Sequence, residues 1–298
     1  MKKTIFAALA LVALASCSKE NSSTSTSTDQ VAATFSSAAI TRVANNEWES
    51  GDVIGVTMTK NGSTDLADGD YYNVSYTVNA AGVTGTFSPT PVTAPDVAEV
   101  IYFPVDGSAV DFYAYCPYAT LDANDDLAVD VSTQSFSDID IVAAKASAKT
   151  KAAPTVTFTG TEAFEHQLSK ITITLVAGDG ITSLAGVTTI IKGQYTTAKY
   201  NLYTSVISSR GDIADITAVT ATDGSTAEAI LIPTDEIDGS SIVFTLDGDS
   251  YIWDTSDIEF EQGSEHNYEI TVTKTALIVT GATINDWNEG QGGTGTAE

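Results

Sequence analysis

Basic residues are scarce in this chain, whereas acidic residues are abundant. Of its 298 residues, 13 are Lys or Arg and 39 are Asp or Glu, so the formal net charge is −26. A charge of this sign repels the phosphates of nucleic acids and anionic lipid head groups. We therefore predict no nucleic acid partner, and we interpret the charge as one that keeps the protein soluble at an exposed surface.

Cysteine and histidine are almost absent. The two histidines, His166 and His266, lie far apart in the sequence with no cysteine beside them, whereas a zinc site needs three or four ligands. We therefore predict no metal and no cofactor. The chain also lacks a Gly-x-Ser-x-Gly turn or another setting for a nucleophile, so we do not predict an enzyme.

Long apolar runs are missing except at the amino terminus. Its first sixteen residues, MKKTIFAALALVALAS, carry two lysines and then an uncharged run, which is typical of a secretory signal and too short to span a bilayer. The end of this segment, LAS followed by Cys17, resembles the bacterial lipobox, in which the cysteine receives a diacylglyceryl group. We predict a signal peptide at 1–16, a lipid on Cys17 and a flexible Ser/Thr-rich tether at 17–30. Cys116 would then have no disulfide partner.

The residues that are abundant, β-branched and aromatic ones among them, favour strands. Apolar and polar residues alternate between Gly, Asp, Asn and Pro, for example at 53–59, 127–131 and 268–272. We find no convincing amphipathic helix. Many short strands at regular spacing predict an all-β fold of two tandem β-sandwich domains, at 31–160 and 161–298.

The segment 143–153, AAKASAKTKAA, contains only small and charged or hydroxyl-bearing side chains and is followed by Pro154. This composition predicts a surface loop near a domain boundary.

Three short motifs have ordinary interpretations beside functional ones. The acidic run 122–126, DANDD, begins like a calcium loop but lacks the glycine and glutamate that such a loop needs, so we predict a solvated turn. The tripeptide 210–212, RGD, matches an integrin-binding signal, but a turn between Ile207 and Ile213 explains it equally well. The pair Asp247-Gly248 predicts a hairpin turn.

Arg42 is one of only two arginines in the chain, and it stands before Val43 in the stretch AAITRVANNEWESGDVIGV. Two interpretations fit it: an ordinary solvated charge at a strand end, or a site where a protease cuts. Just upstream, Val31, Ala33 and Phe35, with Ile40 further on, form an irregular apolar strand pattern. The other arginine, Arg210, lies within the second predicted domain, where a cut would destroy the fold.

Five landmarks follow one another along the chain. They are Trp48 with GDVIGV at 51–56, YFP at 102–104, FYAYCPY at 112–118, FEHQLSK at 164–170 and INDW at 284–287. Their order resembles that of the fimbrillin-like proteins, which are lipoprotein precursors of type V pili. The resemblance covers most of the chain from Arg42 to Trp287, and one departure is Cys116, where that family more often has an aromatic residue.

The resemblance implies two transthyretin-like β-sandwich domains, exported as a lipoprotein and trimmed after an arginine by a trypsin-like protease. It also implies that loss of the amino-terminal strand opens a groove, which a carboxy-terminal strand of another subunit fills. In this sequence, cleavage between Arg42 and Val43 would remove residues 17–42, and Leu277 and Val279 begin a strand near the other end. Other pilus subunits and the outer membrane are the partners that follow, and the fimbrium at the cell surface is the location.

Two functions compete within this fold: a structural pilus subunit, and a binding module that is either a pilus tip or a stand-alone outer-membrane lipoprotein for a glycan or host protein. The last residues, NEGQGGTGTAE, suit a flexible tail better than a donated strand, which favours a tip or accessory subunit. A donor would have to be 276–287. Tyr71, Tyr72, Tyr200 and Tyr203 are candidate sugar platforms, although such residues more often pack between strands.

Overall fold

Alternation of apolar and polar side chains produces a fold made almost entirely of strands. The computed structural model describes residues 29–38, 47–92 and 97–287. Its strands are β1 (Thr34–Ser37), β2 (Val53–Lys60), β3 (Val74–Val78), β4 (Gly85–Pro89), β5 (Val110–Cys116), β6 (Asp126–Asp130), β7 (Val142–Lys149), β8 (Thr155–Phe158), β9 (Glu165–His166), β10 (Ser169–Ala177), β11 (Thr188–Asn201), β12 (Ile207–Thr217), β13 (Val219–Thr220), β14 (Thr226–Leu231), β15 (Ser241–Leu246), β16 (Asp249–Asp254), β17 (Ser264–Thr273) and β18 (Ala276–Asp286). Helical structure in these ranges is limited to α1 (Phe136–Ile139) and a 3-10 turn at Gly160–Glu162. The all-β prediction is confirmed.

Three sheets contain these strands. The first has eight strands in the order β8-β1-β4-β3-β2-β5-β7-β9, the second has the order β13-β14-β10-β17-β18, and the third has the order β12-β11-β15-β16 with β6 also paired to β11. None of the helices in the described ranges is long and apolar enough to cross a membrane.

The buried side chains form two cores. Although β4, β3 and β2 separate β1 from β5 in the first sheet, the rings of Phe35 and Phe112 lie 5.3 Å apart, so this sheet curls around the first core. The second core lies between the other two sheets and includes Ile171, Ile191 and Phe244. This is the two-part organisation that the strand spacing predicts.

One strand from the first half of the chain joins a sheet of the second half. β6 pairs with β11, with Leu127 opposite Tyr200 and Val129 opposite Ala198, and these residues belong to the second core. The two halves are therefore joined by a strand as well as by the chain. The domain bounds at 31–160 and 161–298 stay a prediction.

The loop predicted at 143–153 is wrong for most of its length. Val142–Lys149 forms β7, which pairs with β5. Ala144 and Ala146 face the first core, while Lys145 points outward, 3.4 Å from a carboxylate oxygen of Asp111. This segment is thus a strand with small residues on its inner face and lysines on its outer face. It does not look like a strand in the sequence because strands are usually recognised by large apolar side chains on the inner face.

Candidate functional site

β1 lies within the first sheet and not at its edge. On one side it pairs antiparallel with β4, where Phe35 faces Phe87 and Ser37 faces Gly85; on the other side it pairs parallel with β8, where Phe35 faces Val156. Removal of this short strand would therefore leave β8 without its partner strand and one edge of β4 unpaired, while β4 keeps its pairing with β3. We call the space that β1 occupies between β4 and β8 the β1 slot.

Phe35 and Ser37 share the inward face of β1, and Ala33, the residue just before the strand, points to the same side, because alternate residues of an extended chain do so. All three are at most 4 % exposed. The ring of Phe35 meets those of Tyr76 at 4.9 Å and Phe112 at 5.3 Å, both edge to face, which is a favourable arrangement for aromatic pairs. Phe35 thus fills a pocket that fits one large apolar side chain.

Ser37 brings a hydroxyl into this apolar surrounding, where two donors bind it. Trp48 Nε1 donates to Ser37 Oγ at 2.6 Å, and the backbone N–H of Gly85 donates to the same oxygen at 3.2 Å. Trp48 is fully buried and is held by two backbone hydrogen bonds with Gly82. A Cβ on Gly85 would lie 2.8 Å from Trp48 Nε1, so this approach requires glycine. In the sequence Trp48 is only a landmark, and no local pattern indicates its hydrogen bonds with Ser37 and Gly82.

The opposite face of β1 is exposed and polar. Thr34 donates a hydrogen bond to the hydroxyl of Thr155 at 3.1 Å, and the hydroxyls of Ser36 and Thr157 lie 2.9 Å apart. Hydrogen bonds at such solvated positions contribute little, because water replaces them when they break. Among the side chains of the strand, those on the inward face should therefore contribute more to its retention than those on the outward face.

β18, at the other end of the described chain, is much less buried than β1. It pairs antiparallel with β17 and forms the end of the second sheet. None of its eleven residues, Ala276–Asp286, is buried; Leu277, Val279 and Ala282 pack partly against the second core, whereas Ile278 is 50 % exposed. β18 is thus an edge strand with an apolar residue on its outward face.

Trp287 follows β18 as the last described residue, and its side chain is buried. Its ring stacks on that of His166 at 3.7 Å, and His166 Nδ1 lies 2.9 Å from a carboxylate oxygen of Asp140. All three side chains are buried. His166 therefore has the hydrogen-bonded core role that its neighbours in the sequence indicate, and it fixes the end of β18.

Comparison with known proteins gives the family. A family model described as fimbrillin-like matches residues 41–287. The chain belongs to the fimbrillin-like family. A second model, for the lipid attachment site of prokaryotic membrane lipoproteins, matches residues 1–18, a range that contains Cys17.

Relatives of this fimbrillin-like chain are similar along its length. It is 38 % identical to a Bacteroides uniformis protein named as fimbrium subunit Fim1C, with full coverage of both chains. A crystal structure of a B. uniformis protein assigned to cell adhesion is 35 % identical, with a TM-score of 0.73 over 88 % of this chain and 99 % of that one. The tip fimbrial protein Mfa3 of Porphyromonas gingivalis, 9 % identical with a TM-score of 0.51 over 86 % of this chain and 99 % of that one, shares the fold alone.

The family fixes the broad function. As a fimbrillin-like protein with a lipoprotein attachment site, the chain is a structural or adhesive component of a cell-surface fimbrium and not an enzyme. The sites predicted at Cys17, Arg42 and Val43 lie outside the described residues and stay predictions. Arg42 falls in the segment that connects Ala38, just after β1, to Glu47, just before Trp48.

The short motifs have structural roles. Asp122 accepts backbone hydrogen bonds from Asn124 and Asp126, and its contact with Lys199 at 2.6 Å lowers the pKa of its carboxyl group. The RGD tripeptide at 210–212 lies in β12 and not in the turn that was one of its two interpretations, and Arg210 Nε donates to the carbonyl of Pro233 at 2.7 Å. The hairpin turn at Asp247-Gly248 is confirmed, since both residues have positive φ between β15 and β16.

The candidate sugar platforms differ in exposure: Tyr200 is buried, Tyr71 and Tyr203 are half-buried, and Tyr72 is exposed. Tyr200 is 1 % exposed, and the ring of Tyr203 lies edge to face with that of Tyr113 at 4.9 Å. Tyr71 packs against the first core, and Tyr72 donates a hydrogen bond to Asp125 at 2.8 Å. Tyr113 and Tyr203 also line a cleft of about 410 Å³, whose polar residues include Gln262.

His266 gives this fimbrillin-like fold a pH-dependent stability. Its ring is fully buried beside Phe260, neither ring nitrogen has a hydrogen-bond partner among the described residues, and burial lowers its pKa to about 4. The unfolded chain binds a proton at His266 near pH 6.5, whereas the folded chain does so only near pH 4. Stability should therefore fall as the pH drops from about 6.5 towards 4, by about 3 kcal/mol from this residue.

Urea unfolding at pH 7, 5.5 and 4.5 measures this contribution. The wild-type protein should lose stability over this range, and His266→Leu should remove the part of the slope that comes from His266. An equal slope in the two proteins would contradict the prediction.

Proposed function

We propose that this chain is a fimbrial subunit that assembles by proteolysis and strand exchange. Cleavage between Arg42 and Val43 separates the lipid on Cys17 and β1 from the rest of the chain. A strand of another subunit then occupies the β1 slot. The observation that supports this most is the position of β1: a strand inside the sheet, buried on one face, precedes the proposed cut.

The physical reason for exchange is the state of the slot after β1 leaves. β4 and β8 would expose backbone N–H and C=O groups, and the pocket of Phe35 would expose the rings of Tyr76 and Phe112. Unpaired strand edges and exposed apolar surface are both relieved when an extended segment is added. Cleavage would thus couple release from the membrane to the opening of a binding site.

We propose a tip or accessory position for the chain within the fimbrium. A tip needs only to accept a strand, and retention of β18 by its pairing with β17 and by the buried Trp287 supports this role. An accessory subunit would also release β18 as a donor, which its edge position and its lack of buried residues support. The two positions therefore differ in the fate of one strand.

Electron microscopy after cleavage with an arginine-specific protease tests the assembly. We expect a product that begins at Val43 and, if β18 is released, fibres of that product; a tip subunit should instead give cut monomers that bind one added strand. A product that begins at Val43 but binds no strand would refute strand exchange.

An adhesive role would require a ligand site, and the cleft of about 410 Å³ is the feature that favours it. The tyrosine rings of Tyr113 and Tyr203 and the amide of Gln262 combine stacking surfaces with hydrogen-bonding groups, which suits a glycan. Binding on a glycan array that Tyr203→Ala abolishes would support a surface adhesin. Absence of binding would leave assembly as the function.

A further inference from the structure

The β1 slot requires different side chains at three alternate positions. It accepts a small side chain at Ala33, a large apolar one at Phe35 and a hydroxyl at Ser37, and it buries all three. The first two requirements are shared by many strands, because apolar alternation is common. The third is unusual, since a hydroxyl is needed where most of the neighbours are apolar.

The hydroxyl is required because its two donors stay behind when β1 leaves. Trp48 follows the proposed cut, and its backbone is fixed by Gly82. Without Ser37, the Nε1–H of Trp48 and the N–H of Gly85 would face a strand that offers them no side-chain acceptor. A buried donor without an acceptor is costly, so Trp48 penalises any strand that lacks an oxygen at this position.

The outward face of β18 carries the same three kinds of side chain at the same spacing. Ala276, Ile278 and Thr280 occupy every second position of the strand and are all exposed, with Thr280 at the β-bulge opposite Glu269 and Ile270. They correspond in order to Ala33, Phe35 and Ser37: small, large and apolar, then hydroxyl-bearing. The Thr280 hydroxyl now donates to a carboxylate oxygen of Glu269 at 2.9 Å, an exposed bond that water can replace.

Other registers of β18 fail at the hydroxyl position or at the Phe35 pocket. With Thr283 in the place of Ser37, for example, Gly281 would leave the Phe35 pocket empty. The opposite face would place Leu277 and Val279 inward, followed by Gly281, which has no hydroxyl. A register that places Ile284 in the Phe35 pocket would bring the carboxylate of Asp286 into the apolar slot, and the burial of a charge is unfavourable. Ile278 with Thr280 is therefore the register of β18 that satisfies the slot.

We propose that Trp48 sets the register of the incoming strand, and that Thr280 of a second copy of this chain supplies the hydroxyl. The proposal rests on the strand exchange proposed above, and it favours the accessory position over the tip. Trp48 is then a specificity-determining residue, because it distinguishes the correct register from one shifted by a single residue. Such a shift would turn every side chain of the strand to the wrong face.

Binding of synthetic peptides to the processed protein tests this assignment. The probes are the 274–287 peptide, the same peptide with Thr280→Val, and the same peptide with Thr283→Val as a matched control. Thr283 is three residues after Thr280, so in a regular extended strand the two side chains point to opposite faces. We expect Thr280→Val to weaken binding about tenfold or more and Thr283→Val to leave it unchanged. On processed Trp48→Phe protein, which has no indole N–H, most of the effect of Thr280→Val should disappear.

The outcomes separate this proposal from strand exchange in general. A peptide of residues 31–38, which is β1 itself, should bind if the slot opens at all. If that peptide binds and 274–287 does not, or if Thr280→Val and Thr283→Val bind alike, the assignment of Thr280 is wrong while strand exchange stands. If neither peptide binds, strand exchange itself fails.

A second peptide series keeps the test independent of the Trp48 variant, should Trp48→Phe fail to fold. The peptide with Thr280→Ser retains the hydroxyl and should bind the wild-type processed protein about as well as the unchanged peptide. The peptide with Thr280→Ala should not. Equal binding of the Ser and Ala peptides would overturn the proposal.

Discussion

Arg42→Ala is expected to remain uncut by an arginine-specific protease at residue 42 and to form no fibres. The chain has two arginines, and such a protease has no other site near the amino terminus. Arg210 lies within β12, which pairs with β11, and its side chain donates to Pro233, so it should resist cleavage in the folded protein. We therefore expect near-complete loss of the product that begins at Val43.

Amino-terminal sequencing and electron microscopy of the treated protein measure this result. Arg210→Lys is the matched control, because it removes the other arginine and should be processed like the wild type. Arg42→Lys separates protease specificity from folding: it should resist an arginine-specific protease but be cut by trypsin. Fibre formation by uncut Arg42→Ala would show that assembly does not depend on cleavage.

Phe35→Ala should destabilise the precursor by about 3–5 kcal/mol, as is typical when a large aromatic side chain is removed from a core. Phe35 is 2 % exposed and packs against Tyr76 and Phe112, which would be left around a cavity. Urea unfolding of the two precursors measures the difference. Thr34→Ala, on the exposed face of the same strand, is the control and should change stability by no more than about 0.5 kcal/mol.

Phe35→Ala should also make strand exchange faster, because it weakens the retention of β1 after cleavage. After cleavage β1 is held only by noncovalent contacts, and a loss of about 3 kcal/mol corresponds to roughly 150-fold weaker retention of the strand. Cut Phe35→Ala should therefore release its fragment and accept the 31–38 peptide faster than cut wild type. Slower exchange, or a precursor as stable as wild type, would contradict the assigned role of Phe35.

The sequence predicts those strands whose own residues alternate strongly. β2, β5 and β15 lie where large apolar residues recur at every second position. β4 was missed because Gly85 and Pro89 at its ends are residues that usually interrupt strands, and its pairing with β1 compensates for this. β7 was missed because its inner face carries only alanines after Val142.

The site itself was predictable only in part. Local pattern was enough to place an apolar strand around Phe35 upstream of Arg42. The contact of Ser37 with Trp48 and Gly85 was not predictable, because it joins residues 11 and 48 positions apart whose meeting depends on how the first sheet curls. The same holds for Asp140 and His166, whose side chains become neighbours only through tertiary structure.

The central position of β1 has a mechanical consequence for a fimbrium under flow. A replacement strand in the β1 slot would be hydrogen-bonded along both of its edges, antiparallel to β4 and parallel to β8. Tension along such a strand loads those bonds together in shear, whereas a strand at the edge of a sheet can be peeled away one bond at a time. Each junction between subunits would therefore resist pulling as a unit, although no covalent bond joins them.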